Sequence, residues 1–353
     1  MSNIHFISQI EDLNFWKNFN PELTISENWT QTCQLISVNS QELKQILQEL
    51  IEEGYFQIDD FFPPADILKM SACVEKLQQE GLPVVFAFIY DEFWQIFYKL
   101  SPILKTILGD DYLQVPDVWA WYVAPSKEAK GWEPHRDRRK NSLLPNGMPK
   151  ALNIWIPLTE VTPLNGCMYI LPADLDPNYN QDTDTVGINP QDIRALPASA
   201  GSVLSWNPVV WHWGSRSSNK AKVPRISIAC DFQRSDAQPY EELLLNPSTD
   251  LSFQQRLGLI GKLILRFRVR YQYADELLAL AVKLQHHAPL PYWVVGSQYS
   301  VKSDHWNHVG IKQGSIVEMA RWKDEQNIMV KHPDKQGIFY PFSPLELEHL
   351  LFT

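Results

Sequence analysis

The chain has 353 residues, enough for one large core or two domains, with 44% hydrophobic and 20% charged residues. Its 31 basic and 41 acidic residues leave a net charge of −10, which argues against a general grip on nucleic-acid phosphates or anionic membranes. Cys33, Cys73, Cys167 and Cys230 share no CxxC spacing, which excludes a zinc knuckle or dithiol motif and fits a reduced, cytoplasmic setting. Residues 1–40 have no clear period, and no signal peptide or membrane span is expected. Residues 41–53 predict an amphipathic helix, with Leu43, Ile46, Leu47, Leu50 and Ile51 on one face and Gly54 as its stop. A short strand is expected at 55–58, a helix at 65–79 ending by Gly81, and a third helix at 92–108.

From residue 112 the texture changes to short β-branched and aromatic runs between turn residues. The expected strands are 118–123, 152–158, 168–171, 202–206, 209–213 and 226–232, with a polar excursion at 178–192. Asn207-Pro208 reads as the turn of a hairpin. Helices are expected at 254–269 and 274–285, broken by Pro289-Leu290-Pro291, and 292–353 is mixed. The basic run 262–270 is expected to pack on the core. This divides the chain into an N-terminal helical flank (1–111), a β core (112–235) and a C-terminal extension (236–353) serving as a lid or homodimer surface.

The chemistry concentrates at His135-Arg136-Asp137. Side chains two apart on an extended strand share a face, so His135 and Asp137 project together. An imidazole and a carboxylate are two of the three ligands of a 2-His-1-carboxylate triad. Alone the pair is a weak signal. Downstream, His212 lies in the strand-like Val209-Val210-Trp211-His212-Trp213-Gly214. Arg225 and Ser227 share a face of the next strand, where a guanidinium fork suits a carboxylate. The run Arg136, Arg138, Arg139, Lys140 is either a solvated loop or a greeting for an anionic substrate group. His286-His287 and the His305/His308 pair lack a completing ligand and are expected to be structural.

The order His135-x-Asp137, Asn165-Gly166-Cys167-Met168, Leu171-Pro172, Gly201-Ser202-Val203, His212 and Arg225-x-Ser227 resembles the phytanoyl-CoA dioxygenase family of iron(II)/2-oxoglutarate oxygenases, over about residues 45–235. Gly147-Met148-Pro149 is similar to bacterial members such as ectoine hydroxylase. The resemblance implies a mainly β double-stranded β-helix, a cupin-like jelly roll with flanking helices. It implies iron(II) on His135, Asp137 and His212, 2-oxoglutarate on Arg225 with Ser227 and Asn153, and dioxygen as oxidant. Tyr122, on the strand before the motif, joins the expected cosubstrate contacts. Trp155, Arg139 and Trp213 are expected pocket residues.

The expected reaction is hydroxylation of an unactivated C–H in a small molecule, such as an amino acid or specialised metabolite, free or bound to a carrier protein. Succinate and CO2 are the by-products. The same ligands would also serve desaturation, cyclisation or epimerisation, and a non-catalytic jelly-roll binding protein is the alternative from another class. Asp137 stands where related halogenases carry a small residue, which argues against halogenation. Two departures stand out. Pro172-Ala173-Asp174-Leu175-Asp176 replaces the Pro-Gly-Ser-His-like turn of many members, and the step from His212 to Arg225 is two residues longer than in close relatives.

Overall fold

The computed structural model of the chain describes residues 4–138, 140–181, 187–238, 244–289, 296, 298–324, 327–343, 346–347 and 350–351. Helices α1 (Leu13–Phe19) and α2 (Trp29–Thr32) precede α3 (Ser40–Glu52). Asn39 starts α3 through a capping box with Glu42, and the apolar stripe buries Ile46 and Leu50. Ile51, at the margin of that stripe, is left exposed. Gly54 then takes a φ of 82°, and a Cβ there would meet Val210 Cγ2 at 2.5 Å. Next come strand β1 (Tyr55–Ile58) and helix α4 (Pro64–Gln79).

The single helix expected at 92–108 is two, α5 (Glu92–Tyr98) and α6 (Ser101–Leu108). Pro102 explains the break. It has no N–H to donate back into the preceding turn, and it is tolerated only in the first turn of a new helix.

Eight strands form two antiparallel sheets. The larger contains β1, β2 (Leu113–Val123), β3 (Ala151–Pro157), β6 (Val203–Trp206) and β8 (Arg225–Gln233), in the order β1-β6-β3-β8-β2. The smaller has the order β5-β4-β7, from β4 (Met168–Leu171), β5 (Arg194–Leu196) and β7 (Trp211–Gly214). The predicted 206–213 hairpin does not form, because β6 and β7 lie in different sheets. The turn between them carries the chain from one layer to the other. Asn207 holds it by accepting from the Val209 N–H and by donating its own N–H to the Gly54 carbonyl. This crossing between two antiparallel layers is the jelly-roll feature of the fold. The three-residue β5 lacked a readable apolar pattern.

The large sheet has two different faces. Ile154, Ile156, Ile226, Ile228, Cys230 and Phe232 pack into the main core with the helices. Their alternating partners face the second sheet across a cavity.

The last third falls into two parts. Helices α7 (Phe253–Arg266) and α8 (Asp275–Leu284) join the main core through Leu257, Ile260, Leu263, Ile264 and Leu284. Arg256 of α7 is buried against Asp91 at 2.6 Å and also donates to the Ile89 and Ser26 carbonyls, tying α7 to the N-terminal flank. Strands β9 (Gln298–Ser300), β10 (Ile316–Asp324), β11 (Asn327–Lys331) and β12 (Phe339–Phe342) make a four-stranded sheet with its own core of Val317, Met319, Ile328, Val330 and Phe342. Among the described residues, no helix is long and apolar enough to cross a membrane.

Candidate active site

The cavity between the two sheets has a volume of about 380 Å³. Its floor is the inner face of the large sheet, where the register fixes which side chains stand level. On β8, Arg225, Ser227, Ala229 and Asp231 share one side. Trp155 on β3 pairs with Ala229, and Trp119 on β2 pairs with the same residue from the other flank. Asn153 pairs with Asp231 on one side and Trp206 on the other.

The wall carries the His135 segment. Residues 130–135 run alongside β7, joined to its stretch of chain by the isolated bridges Lys130–Arg216 and His135–His212. His135 and His212 exchange both backbone hydrogen bonds at 3.0 Å. A paired register of this kind sets their rings side by side, with centroids 4.4 Å apart. The two backbones approach closely through glycines. A Cβ on Gly131 would meet Gly214 Cα at 2.7 Å, and one on Gly214 would meet the Arg225 guanidinium at 2.5 Å. Gly131→Ala is therefore expected to push the His135 strand off β7, lowering both the thermal midpoint and iron(II) affinity. Unchanged values in a melt and a metal titration would show that the strand tolerates the added methyl.

Each imidazole is held by its Nδ1. His135 Nδ1–H donates to the Glu133 carbonyl at 2.7 Å and His212 Nδ1–H to the Val210 carbonyl at 3.0 Å. This leaves both Nε2 atoms as lone-pair donors directed at Asp137 Oδ1, at 3.5 Å from His135 and 3.8 Å from His212. The three donor atoms lie within 4.8 Å of one another. Two neutral imidazole nitrogens and a carboxylate oxygen facing a common point fit a divalent iron, whose preferred donors these are.

The electrostatics separate the two histidines. Burial works against a charge on His135, but the Asp137 hydrogen bond and charge outweigh it, and its pKa rises above the usual 6.5. Burial depresses His212 to about 4. Burial would raise the Asp137 carboxyl, yet His212 and His135 together hold it below the usual carboxylate value.

At the far end of β8, Arg225 is buried and donates to the Gly166 carbonyl at 2.8 Å. Its Nε and the Ser227 hydroxyl are buried without a hydrogen-bond partner, and no carboxylate among the described residues pairs with the guanidinium. Burial pulls its pKa down to about 10. Trp155 lines the cavity as expected, with the Arg225 guanidinium 6.0 Å from its ring.

Other expected positions fall elsewhere. Strand alternation turns Trp119 and Trp121 toward the cavity and Tyr122 away, to the opposite side of β2, where it borders a second hollow with Tyr273. Trp213 alternates with His212 on β7 and stacks on Tyr169, outside the cavity. Arg139 lies outside the described residues. Arg136 does not greet a substrate charge: it is buried against Asp176 at 2.6 Å and donates to the Val209 carbonyl. The departure at 172–176 thus supplies the carboxylate that anchors the motif strand.

Sequence reasoning missed Asp231, Asp117, Trp119, Arg266 and Phe267 as lining residues. Asp231 shares the two-residue period of Arg225 and Ser227, so its face was readable. Arg266 and Phe267 arrive from the end of α7 by tertiary packing, with Phe267 4.5 Å from the Trp119 ring.

Residues 84–226 match the model of the phytanoyl-CoA dioxygenase family, a span that includes the triad and reaches Arg225. The match spans 143 of the 353 residues, and over that stretch the chain is similar to this family. The matched region holds the His135, Asp137 and His212 donor set expected of a non-haem oxygenase that uses iron(II), 2-oxoglutarate and dioxygen. No curated protein sequence matches it. Among solved structures it is similar to ThoJ, a non-heme monooxygenase, at 16% identity and a TM-score of 0.48 over 67% of this chain and 99% of that one. It is similar to the non-heme alpha ketoglutarate dependent epimerase SnoN from nogalamycin biosynthesis, at 15% identity and 0.45 over 56% and 85%. EctD from S. alaskensis, solved with 2-oxoglutarate and 5-hydroxyectoine, gives 12% identity and 0.43 over 61% and 83%.

Proposed function

We propose that this oxygenase hydroxylates an unactivated C–H of a small molecule. In this reading His135, Asp137 and His212 hold the iron, and Arg225 with Ser227 holds the distal carboxylate of 2-oxoglutarate. One observation carries it: a three-donor cluster and a buried guanidinium lacking a carboxylate open onto the same 380 Å³ cavity. When bound, iron(II) would activate dioxygen, the oxidant, while 2-oxoglutarate would supply two of its four electrons and leave as succinate and CO2.

The protein's own residues provide placement. The Glu133 and Val210 carbonyls hold the imidazoles in the tautomer that presents Nε2. Arg225 and Ser227 offer donors where a carboxylate must stop. Phe267 and Arg266, from the end of α7, stand over the cavity with Trp119 and exclude water from one side. The C-terminal helices are on this reading a cover for the cavity rather than a separate module.

The test is anaerobic. Iron(II) with 2-oxoglutarate is expected to give a visible charge-transfer band, and aerobic turnover should release succinate with a product heavier by one oxygen. No band despite bound metal would overturn the oxygenase assignment. A product of unchanged mass would overturn hydroxylation in favour of rearrangement at the same centre.

The proton balance gives a pH prediction. His135 binds its proton more tightly than a free imidazole, so on acidification it is the first ligand to compete with the metal, above pH 6.5. His212 stays neutral down to about pH 4. Iron affinity is expected to be flat on the alkaline side of the His135 pKa and to fall about tenfold per pH unit below it, one proton per metal. Calorimetric titration across that range checks it, and a flat profile would remove His135 from the ligand set.

A further inference from the structure

The cavity floor changes polarity along β8. Arg225 stands at one end and Asp231 at the other, six residues and about 20 Å apart along the strand. Level with Asp231 are Asn153 and Trp206, and Asp117 of β2 also lines the cavity. Asn153 Nδ2 donates to Asp231 Oδ1 at 2.6 Å, which settles the orientation of the amide. Its Oδ1 is buried and accepts from no described residue. The donor side of the amide is thus committed to a carboxylate, and its acceptor side is unsatisfied. Asp117 adds a second carboxylate, 3.1 Å from Arg266. Carboxylate oxygens accept and do not donate. The Asn153 Oδ1 can take only a donor, which a dicarboxylate lacks, so Asn153 suits a substrate contact better than the cosubstrate contact expected of it. A buried acceptor without a partner is destabilising, so whatever completes it must donate.

We infer that Asn153 and Asp231 form the substrate subsite of this oxygenase and take a hydrogen-bond-donating group, hydroxyl or ammonium. The body of the substrate then lies against the indoles of Trp119, Trp155 and Trp206, which line the same space. The inference rests on the oxygenase reading for the placement of the cosubstrate.

Three probes of one ring size test it: trans-1,2-cyclohexanediol, cyclohexylamine and cyclohexanone. Binding is followed by saturation-transfer NMR and by tryptophan fluorescence in the protein loaded with iron(II) and 2-oxoglutarate under argon. The diol or the amine is expected to bind and the ketone, which only accepts, is not. Asn153→Leu should weaken the bound probe about tenfold, the loss of one satisfied buried hydrogen bond. The charge-transfer band should stay unchanged, which keeps failure of this inference apart from failure of the oxygenase assignment. Asp231→Asn keeps an acceptor without the charge, so it should spare the diol and release the amine, and it serves as a second variant if Asn153→Leu does not fold. Equal binding of the ketone, binding of no probe, or an Asn153→Leu protein that loses the band and keeps the probe would each overturn the subsite.

Discussion

His212→Ala is expected to yield a folded protein that binds no iron(II) in the cavity and releases no succinate above background. His212 is 4% exposed and sits on the inner side of β7, where its Nδ1–H already has a partner in the Val210 carbonyl. Its Nε2 has no assignment inside the protein other than the space in front of Asp137. Two donors cannot hold a divalent iron against water as three can, so removing one takes the metal and with it every oxidative step. The stability effect has a different source. The imidazole packs against His135 at 4.4 Å and Trp206 at 4.6 Å between ring centroids, and its truncation leaves a void beside both. Removal of such contacts destabilises by about 1–3 kcal/mol, which a domain of this size survives. A thermal melt, a metal titration and a succinate assay on one preparation separate the two effects. A variant that melts near the parent and still forms succinate at the parent rate would show that His212 is a core histidine and that the ligand assignment is wrong.

How far the sequence speaks for itself depends on what each feature rests on. Helix α3 was legible because an apolar stripe runs along it and Gly54 marks its end. β1 and β4 were legible to the residue because turn residues bracket short apolar runs. That His135, Asp137 and His212 come together was legible from the two-residue spacing of the first pair and the family order. The polarity of the cavity floor was not, since Asn153 and Asp231 meet only through the register of β3 on β8. Tyr122 and Trp213 were placed on the wrong side of their strands by proximity in sequence to the motif, where alternation from Trp121 and from His212 would have turned them outward. The C-terminal sheet escaped because β9 has three residues and β12 carries Pro341, so neither shows a clean alternation. Arg136 was read as solvated or substrate-facing because a basic run gives no hint of a buried partner forty residues on. Asp176 supplies that partner.

Arg225→Met is expected to separate stability from function in opposite directions. In the parent the guanidinium is buried, its Nε has no partner among the described residues, and it donates to the Gly166 carbonyl. A buried cation without a carboxylate destabilises the metal-free fold, as the depression of its pKa to about 10 reports. Methionine fills a similar length without charge, so the metal-free variant should melt higher than the parent. The sign matters, since an arginine held for structure alone would melt lower when removed. The cosubstrate side moves the other way. A truncated partner in a buried charge pair weakens binding by about 2–5 kcal/mol, or roughly 30- to several-thousand-fold in 2-oxoglutarate affinity. Iron(II) affinity should be unchanged, because Arg225 lies on β8 and the three proposed metal donors lie on the His135 segment and β7. Calorimetry with 2-oxoglutarate, set beside thermal melts of both metal-free proteins, reads all three quantities. A lower melting point with undiminished 2-oxoglutarate affinity would make Arg225 a structural residue and would leave the distal carboxylate without its anchor.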